Sequence, residues 1–135
     1  KPDVPVVDLA GDGSFRMTEN SLSTCMAEDI PVIVVILNNS TLGMVEQWQR
    51  LFYDRRYSGV KLDNIPDFVK LVEAYGAQGL RAQSIKEFEK AFKEAIISDV
   101  TTVIDCPVSP EEDVFPFVPP GRGLNEVLFD SEGQK

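Results

Sequence analysis

Residues 32–37, Val-Ile-Val-Val-Ile-Leu, constrain the fold of this chain more than any other part of its sequence. The segment is apolar throughout and rich in β-branched residues, which favour strands. Because it does not alternate with polar residues, it predicts a strand that is buried on both faces, as in a parallel sheet covered by helices on each side. Polar residues follow at once, from Asn38 to Thr41, and end the strand. The chain is therefore expected to belong to the α/β class.

Predicted strands and helices alternate along the rest of the sequence. Further strands are predicted at 4–9, 79–82 and 101–108. Helices are predicted over about 19–28 with Thr18 as N-cap, from 42 to 53 or 54, over 67–75 with Gly76 as cap, and after Ser84, which has capping-box spacing to Glu87. This order predicts a three-layer, doubly wound and mostly parallel sheet. Residues 1–108 are expected to form this domain, with an irregular segment at 55–66, and residues 109–135 to form its extended tail.

Composition and charge exclude several classes of function. The 135 residues carry a net charge of −9 and no histidine. Without an excess of lysine and arginine, the chain is not expected to bind nucleic acid. Without histidine, neither a zinc site nor a Ser-His or Cys-His catalytic pair is expected, so chemistry would depend on a cofactor. No apolar run approaches the roughly 20 residues that span a bilayer, and a cytoplasmic protein without membrane contacts is predicted.

Two predicted strands end in polar segments with oxygen ligands. The first strand is followed by Gly11-Asp12-Gly13-Ser14 and the second by Asn38-Asn39-Ser40-Thr41. Glycines let backbone N–H groups approach an anion, while the side chains of Asp12 and Asn39 and a loop carbonyl offer hard oxygen ligands. Each segment alone is usually a turn or a loop. Because one helix and one strand separate them, both are expected at the carboxyl edge of the sheet, where together they indicate a Mg²⁺ site.

The spaced pair Gly11-Asp12-Gly13 and Asn38-Asn39 resembles the signature of thiamine-diphosphate enzymes. Nearly the whole chain is similar to the large subunit of the acetolactate (acetohydroxyacid) synthase family. The Gln47-Trp48-Gln49 segment narrows the resemblance from the cofactor class to this family. The other matching segments are Gly11 to Phe15, Leu37-Asn38-Asn39, Leu42-Gly43-Met44-Val45, Leu51-Phe52-Tyr53, Arg56-Tyr57-Ser58, Pro66-Asp67-Phe68 and residues 121–126.

The resemblance implies a role for each matching residue at the site. It implies that Mg²⁺ binds to the side chains of Asp12 and Asn39 and to the backbone carbonyl of Thr41. It also implies a substrate channel lined by Val45 and Trp48. Packing in the core is the alternative for both residues and for Met44. The residues that it implies for binding thiamine diphosphate are Gly11, Asp12, Gly13, Ser14, Asn39, Thr41, Leu42, Gly43, Met44 and Val45.

The resemblance further implies an activity and partners. The whole enzyme would condense two pyruvates, or pyruvate and 2-ketobutyrate, with loss of CO₂ in the biosynthesis of branched-chain amino acids. In this family the activating glutamate belongs to an N-terminal domain of the neighbouring subunit, and FAD belongs to a middle domain. The 135 residues are therefore expected to be a fragment of a homo-oligomeric enzyme, with the active site at a subunit interface and no activity alone. A regulatory subunit is a further partner that the family allows.

Two alternatives remain open at the level of sequence. The domain could belong to another thiamine-diphosphate enzyme, such as pyruvate oxidase, a benzoylformate-type decarboxylase or glyoxylate carboligase. The Gln47-Trp48-Gln49 segment argues against this alternative. The chain could also be a non-catalytic module that has kept the fold. The presence of both Asp12 and Asn39 argues against that, because a domain freed from metal binding has no physical need for them.

Overall fold

The structure is a computed structural model that describes residues 4–64 and 66–130. Its strands are β1 (Val6–Gly11), β2 (Val32–Asn38), β3 (Gln78–Arg81) and β4 (Thr102–Pro107). Its helices are α1 (Asp12–Thr18), α2 (Leu22–Ala27), α3 (Gly43–Phe52), α4 (Phe68–Ala74) and α5 (Ile85–Ile96), with a 3₁₀ turn at Glu19–Ser21. All strand pairs are parallel, in the order β1-β2-β4-β3. The predicted α/β class with a parallel sheet is confirmed.

Two apolar cores, one on each face of the sheet, hold three layers together. Successive side chains of β2 and β4 point to opposite faces, as the pleat requires. The first face is covered by α1, α2 and α4, and the second by α5. Ile36 on the first face and Ile104 on the second are both 0% exposed. The first core contains Phe15, Leu22, Val34, Ile36, Phe68, Val72, Ala77 and Val103, and the second contains Ile33, Val35, Ala82, Ala91, Ala95, Ile104 and Cys106.

The edge strand β1 is apolar but largely uncovered. Helix α5 packs over β3 and β4, so it leaves the second face of β1 open, and Leu9 is 71% exposed there. On β2, the same absence of cover leaves Leu37 49% exposed, although residues 33–36 are buried as predicted. A cleft of about 440 Å³ runs along this surface, between the two leucines and Phe88 of α5. Parallel strands are normally covered on both faces, so this surface suits additional polypeptide.

The first helical region was predicted only in part. The predicted helix over about 19–28 forms as the 3₁₀ turn at Glu19–Ser21 and α2, with Thr18 at the N-cap of the turn but without a side-chain capping hydrogen bond. Helix α1, which begins at Asp12 and ends at Thr18, was not predicted. The hydroxyl of Ser14 accepts a hydrogen bond from the backbone N–H of Gly11 at 3.0 Å. This bond starts the helix directly after the strand, where the two glycines had suggested a break. Strand β1 correspondingly extends two residues further than predicted, to Gly11.

Local capping signals predicted the helix ends more accurately. Asp67 is the N-cap of α4, and its carboxylate accepts a hydrogen bond from Val69 N at 3.1 Å. Gly76 follows that helix with a φ of +90°, a conformation that favours glycine. Ser84 caps α5 as predicted, because its Oγ accepts a hydrogen bond from Glu87 N at 3.3 Å. The carboxylate of Glu87, however, accepts from the backbone of residue 83 rather than from that of the N-cap.

Residues 109–130 contain no helix or strand, but they are anchored on α3. The side-chain amide of Gln47 donates to Val114 O at 3.1 Å and accepts from Val114 N at 3.0 Å. Arg50 forms an ion pair with Asp113. The boundary predicted at residue 108, between the domain and its tail, remains a prediction. Residues 1–3 and 65 of the predicted domain and residues 131–135 of the predicted tail lie outside the described residues. None of the helices in the described part of the chain combines the length and the apolar character that a membrane span requires.

We expect Gly79→Ala to destabilise the protein. Strand β3 passes so close to α4 that a Cβ at Gly79 would lie 2.7 Å from Val69 O and 3.0 Å from Val69 Cα. Because backbone atoms cannot move aside easily, the substitution should lower the free energy of unfolding by about 1–3 kcal/mol, measured by urea denaturation. As a control, an added Cβ at Gly11 would meet nothing closer than 3.8 Å. Equal losses for Gly79→Ala and Gly11→Ala would contradict this account.

Candidate functional site

The two polar segments predicted to meet at the carboxyl edge of the sheet lie in contact there. Strands β1 and β2 are neighbours, paired so that Gly11 lies beside Leu37. The carboxylate of Asp12 follows β1 and accepts a hydrogen bond from Ser40 N, beyond β2, at 2.6 Å. Its other oxygen accepts from Gly13 N at 2.7 Å. Asp12 is 2% exposed, so a buried carboxylate fixes the loop of residues 38–41 against the start of α1.

The loop of residues 38–41 is a tight turn centred on Ser40. Ser40 has a φ of +55°, in the left-handed region that costs a non-glycine residue roughly 1–2 kcal/mol. The turn lets the side-chain oxygen of Asn39 accept a hydrogen bond from Thr41 N at 3.1 Å. The bond from Ser40 N to Asp12 offsets part of the strain. Asn39 is therefore part of the turn that Asp12 anchors from the start of α1.

A second buried carboxylate, Asp105 on β4, holds the beginning of this loop. It is 3% exposed and accepts hydrogen bonds from Asn38 Nδ2 at 3.0 Å and from Arg81 Nε at 3.1 Å. Burial alone would lower the pKa of Arg81, but hydrogen bonds and charges from Asp105 and Asp67 outweigh it and raise that pKa. Sequence reasoning missed Asp105, although an aspartate inside an otherwise apolar strand was a usable signal.

A third buried carboxylate, Glu46 on α3, holds the end of the loop. The hydroxyl of Thr41 donates to Glu46 Oε2, and Lys61 Nζ donates to Glu46 Oε1 at 2.7 Å. Glu46 and Thr41 are 7% and 3% exposed. Burial would raise the pKa of Glu46, but the hydrogen bonds from Lys61 and Thr41 and the charges of Lys61 and Arg50 together lower it. The carboxylate is therefore ionised at neutral pH and fully engaged.

Residues 60–62 run antiparallel to residues 40–42 and brace them. Leu42 N donates to Val60 O at 2.8 Å, and Leu62 N donates to Ser40 O at 2.9 Å. Val60 is 2% exposed. The predicted irregular segment at 55–66 indeed forms no helix or strand in its described residues. No feature of its sequence indicates that part of it pairs with the loop.

Two glycines of the site lie where a side chain would meet tight contacts. A Cβ at Gly13 would lie 3.1 Å from Leu42 Cδ2, and a Cβ at Gly43 would lie 3.1 Å from Asn39 Nδ2. Ser14 is exposed beside them, with its hydroxyl bonded to the backbone of Gly11 within the same turn. Because the two glycines have no side chains, a ligand could approach the backbone closely at this edge.

An exposed apolar surface adjoins these glycines at the start of α3. Trp48 is 38% exposed and packs edge-on against Phe52, with ring centroids 6.3 Å apart. The alternative of core packing for Val45 and Met44 does not hold in this chain, in which both are exposed. The other exposed members of this surface are Leu42 at 38%, Val45 at 46% and Met44 at 57%.

The donor set of this edge fits a magnesium ion better than a softer metal. Each carboxylate oxygen of Asp12 accepts one backbone N–H and keeps a lone pair for a cation. The amide oxygen of Asn39 likewise accepts one backbone N–H and keeps a lone pair for a cation. Among the described residues, no group of three or more His, Cys, Asp and Glu side chains could hold a metal. A site of one carboxylate, an amide and a carbonyl needs further oxygens from a ligand or water, as Mg²⁺ sites commonly do.

Comparison with known proteins gives one consistent family. Residues 1–106 match the family described as thiamine pyrophosphate enzyme, C-terminal TPP binding domain. The chain is 44% identical over 128 residues to a probable acetolactate synthase large subunit of Methanocaldococcus jannaschii, covering 95% of this chain and 22% of that protein. It is 41% identical to the mitochondrial acetolactate synthase catalytic subunit of Saccharomyces cerevisiae, covering 100% of this chain and 20% of that protein.

A solved structure shares the fold. The thiamine diphosphate-dependent 4-hydroxybenzoylformate decarboxylase of Rhodococcus jostii RHA1 superimposes with a TM-score of 0.76 and 32% identity. The match covers 81% of this chain and 20% of the decarboxylase chain. The chain thus spans about a fifth of the length of the proteins that it resembles.

Proposed function

Since the chain belongs to the thiamine pyrophosphate enzyme family, as its C-terminal TPP binding domain, we propose that it binds thiamine diphosphate through Mg²⁺ in an acetolactate synthase. The observation that carries this proposal is the hydrogen bond from Ser40 N to the buried carboxylate of Asp12. It brings the two polar segments of the sequence together at one edge of the sheet. Ligands of open α/β sheets bind at this edge.

The proposal gives each residue of the edge a task. The side-chain oxygens of Asp12 and Asn39 and the carbonyl of Thr41 would hold Mg²⁺. The backbone of Gly13 and the exposed Ser14 would bind the diphosphate, close to Gly11. Met44, with Leu42, Gly43 and Val45, would lie beside the aminopyrimidine ring, and Val45 and Trp48 would line the substrate channel. When bound, thiamine diphosphate supplies the electron sink for the loss of CO₂ from a 2-keto acid.

A metal is also needed on electrostatic grounds. The chain has a net charge of −9, and a diphosphate is itself an anion, so binding without a cation would bring like charges together. Asp12 is a carboxylate at the centre of the site and would repel the diphosphate directly. Mg²⁺ between the two reverses this repulsion, and we therefore expect cofactor binding to depend strictly on a divalent cation.

The acid or base that activates the cofactor would come from outside these 135 residues. The carboxylates around the site already have partners: Asp12 binds two backbone N–H groups, Asp105 binds Asn38 and Arg81, and Glu46 binds Thr41 and Lys61. Proton exchange with a bound ligand would disturb the contacts that each of them makes. This supports the proposal that the activating glutamate lies on an N-terminal domain of the same enzyme.

Acetolactate formation is the activity that we propose for the whole protein. The two acetolactate synthases are 44% and 41% identical in sequence to this chain, whereas the decarboxylase of known structure is 32% identical. In the test, the full-length protein is incubated with pyruvate, Mg²⁺ and thiamine diphosphate, and calorimetry follows cofactor binding with and without a chelator. We expect acetolactate, and binding that the chelator abolishes. Release of acetaldehyde without condensation would favour a decarboxylase, and the absence of both binding and product would favour a non-catalytic module.

We propose that additional polypeptide of the same protein covers the open surface of β1. Val7 and Leu9 are 41% and 71% exposed on a strand of a parallel sheet, and Leu37 beside them is 49% exposed. Burying them would stabilise the assembly by about 25 cal/mol per Å² of apolar area. The relatives are roughly five times as long as this chain, since it covers 20–22% of them, so they have ample polypeptide for this role.

We also propose several further properties of the whole protein. They comprise FAD in a middle domain, a homo-oligomer with the site at a subunit interface, a regulatory subunit and a role in the biosynthesis of branched-chain amino acids. A cytoplasmic location is also only a prediction, because the yeast relative is named as mitochondrial. Gel filtration and cofactor analysis of the purified full-length protein would test the first two.

A further inference from the structure

Three residues of the loop at 38–41 are held by buried carboxylates. Asn38 is bound to Asp105, Ser40 to Asp12 and Thr41 to Glu46. Of the three carboxylates, only that of Asp12 belongs to the predicted metal ligands. Glu46 differs from Asp105 in reaching the loop from α3, and it is joined to residues 60–62 through Lys61.

We propose that Glu46, paired with Lys61, is a positioning residue that orients the backbone of Thr41 for the metal ion. The inference rests on the proposed function, in which the carbonyl of Thr41 binds Mg²⁺. It adds a residue that would touch neither metal nor cofactor and would act on Thr41 both directly and through Lys61 and Val60.

The peptide group between Thr41 and Leu42 explains how this positioning works. Because a peptide is planar and trans, the carbonyl of Thr41 points opposite to the N–H of Leu42. That N–H donates to Val60 O at 2.8 Å, so the position of Val60 sets the direction of the carbonyl. Lys61 follows Val60 directly and is fixed by its 2.7 Å bond to Glu46. Glu46 thus holds both Thr41 and the segment that aims its carbonyl.

The Thr41 hydroxyl has two possible acceptors and donates its proton to Glu46. A hydroxyl has one proton, and Thr41 Oγ1 lies near both Glu46 Oε2 and Val60 O. Val60 O already accepts from Leu42 N, whereas an ionised carboxylate is the stronger acceptor. The hydroxyl therefore donates to Glu46. Removing the Thr41 hydroxyl leaves Glu46 Oε2 without this donor, and neutralising Glu46 weakens its contacts with both Thr41 and Lys61. Either change loosens the support on which the orientation of the Thr41 carbonyl depends.

The test measures the Mg²⁺ concentration that half-saturates binding of thiamine diphosphate to the full-length protein, by calorimetry. The variants are Glu46→Gln, which keeps size but loses charge, Thr41→Val, which keeps shape but loses the hydroxyl, and the double variant. Removing groups that orient metal ligands typically weakens metal affinity by about 10–100-fold. We expect each single variant to raise the half-saturating Mg²⁺ concentration about tenfold. The double variant should raise it by less than the product of the two single effects, because both substitutions remove the contact between Thr41 and Glu46.

Two further variants make the outcome decisive. Glu126→Gln removes an exposed ion pair with Arg122 and should leave the Mg²⁺ dependence unchanged. Asp12→Ala should abolish Mg²⁺-dependent binding altogether, and if it does not, the proposed metal site itself is wrong. If Asp12→Ala abolishes binding while Glu46→Gln and Thr41→Val shift half-saturation less than twofold, the positioning role is wrong. A loss of thermal stability without a shift in Mg²⁺ dependence would equally show a purely structural role. High Mg²⁺ should restore full cofactor binding in the single variants.

Discussion

Asp12→Ala in the full-length protein should abolish Mg²⁺-dependent binding of thiamine diphosphate and lower turnover by at least about a thousandfold. The substitution removes the only carboxylate of the proposed metal site. A metal ion contributes several kcal/mol to such chemistry, and each 1.4 kcal/mol is a factor of about ten. It also removes the acceptor of Ser40 N, now bonded at 2.6 Å, so the loop that carries Asn39 loses its anchor. Calorimetry and a steady-state assay measure the two effects.

Asp12→Asn separates these two contributions. An asparagine can still accept the hydrogen bond from Ser40 N through its one oxygen, but its NH₂ group then faces Gly13 N–H, and its neutral amide binds Mg²⁺ more weakly than a carboxylate does. We expect it to keep more of the protein's stability than Asp12→Ala does and still lose most cofactor affinity. Asp99→Ala is the matched control, because this exposed aspartate precedes β4 at the opposite edge of the sheet. If Asp12→Ala binds cofactor as tightly as Asp99→Ala does, the assignment of the metal site is wrong.

The fold was predictable because its determinants are local. The apolar run at 32–37 has no polar face, so it had to be a strand between two layers. Caps such as Ser84 and Gly76 act on neighbouring backbone groups and were visible in the sequence. The first helix escaped prediction because Gly11 and Gly13 favour a turn, whereas the hydroxyl of Ser14 starts a helix at once.

The candidate site was predictable only in part, since its support comes from distant residues. The pairing of Asp12 with the loop followed from topology, because neighbouring parallel strands end at one edge. The bonds from Asn38 to Asp105 and from Lys61 to Glu46 span 67 and 15 residues, and no spacing rule connects those pairs. A buried aspartate in an apolar strand was the one available signal.

The isolated 135-residue chain should form no acetolactate from pyruvate, even with saturating Mg²⁺ and thiamine diphosphate. Activation of the cofactor needs a proton donor or acceptor in a protected site. Here the buried carboxylates are already bonded, and Met44 and Trp48, which would flank the cofactor, are 57% and 38% exposed. Water would therefore reach the reacting groups, and the preorganised stabilisation of developing charge would be lost.

The full-length protein, assayed at the same molar concentration, provides the comparison for this last prediction. Hydrogen exchange adds an independent readout, because polypeptide packed on β1 should slow the exchange of its amides in the full-length protein relative to the isolated chain. Equal exchange in both would contradict the proposed cover of Val7 and Leu9. Turnover by the isolated chain, abolished by Asp12→Ala, would show that the activating group lies within these residues. In that case Glu46 would be the first carboxylate to reconsider, since it is the one on α3 nearest to the proposed cofactor-binding residues in sequence.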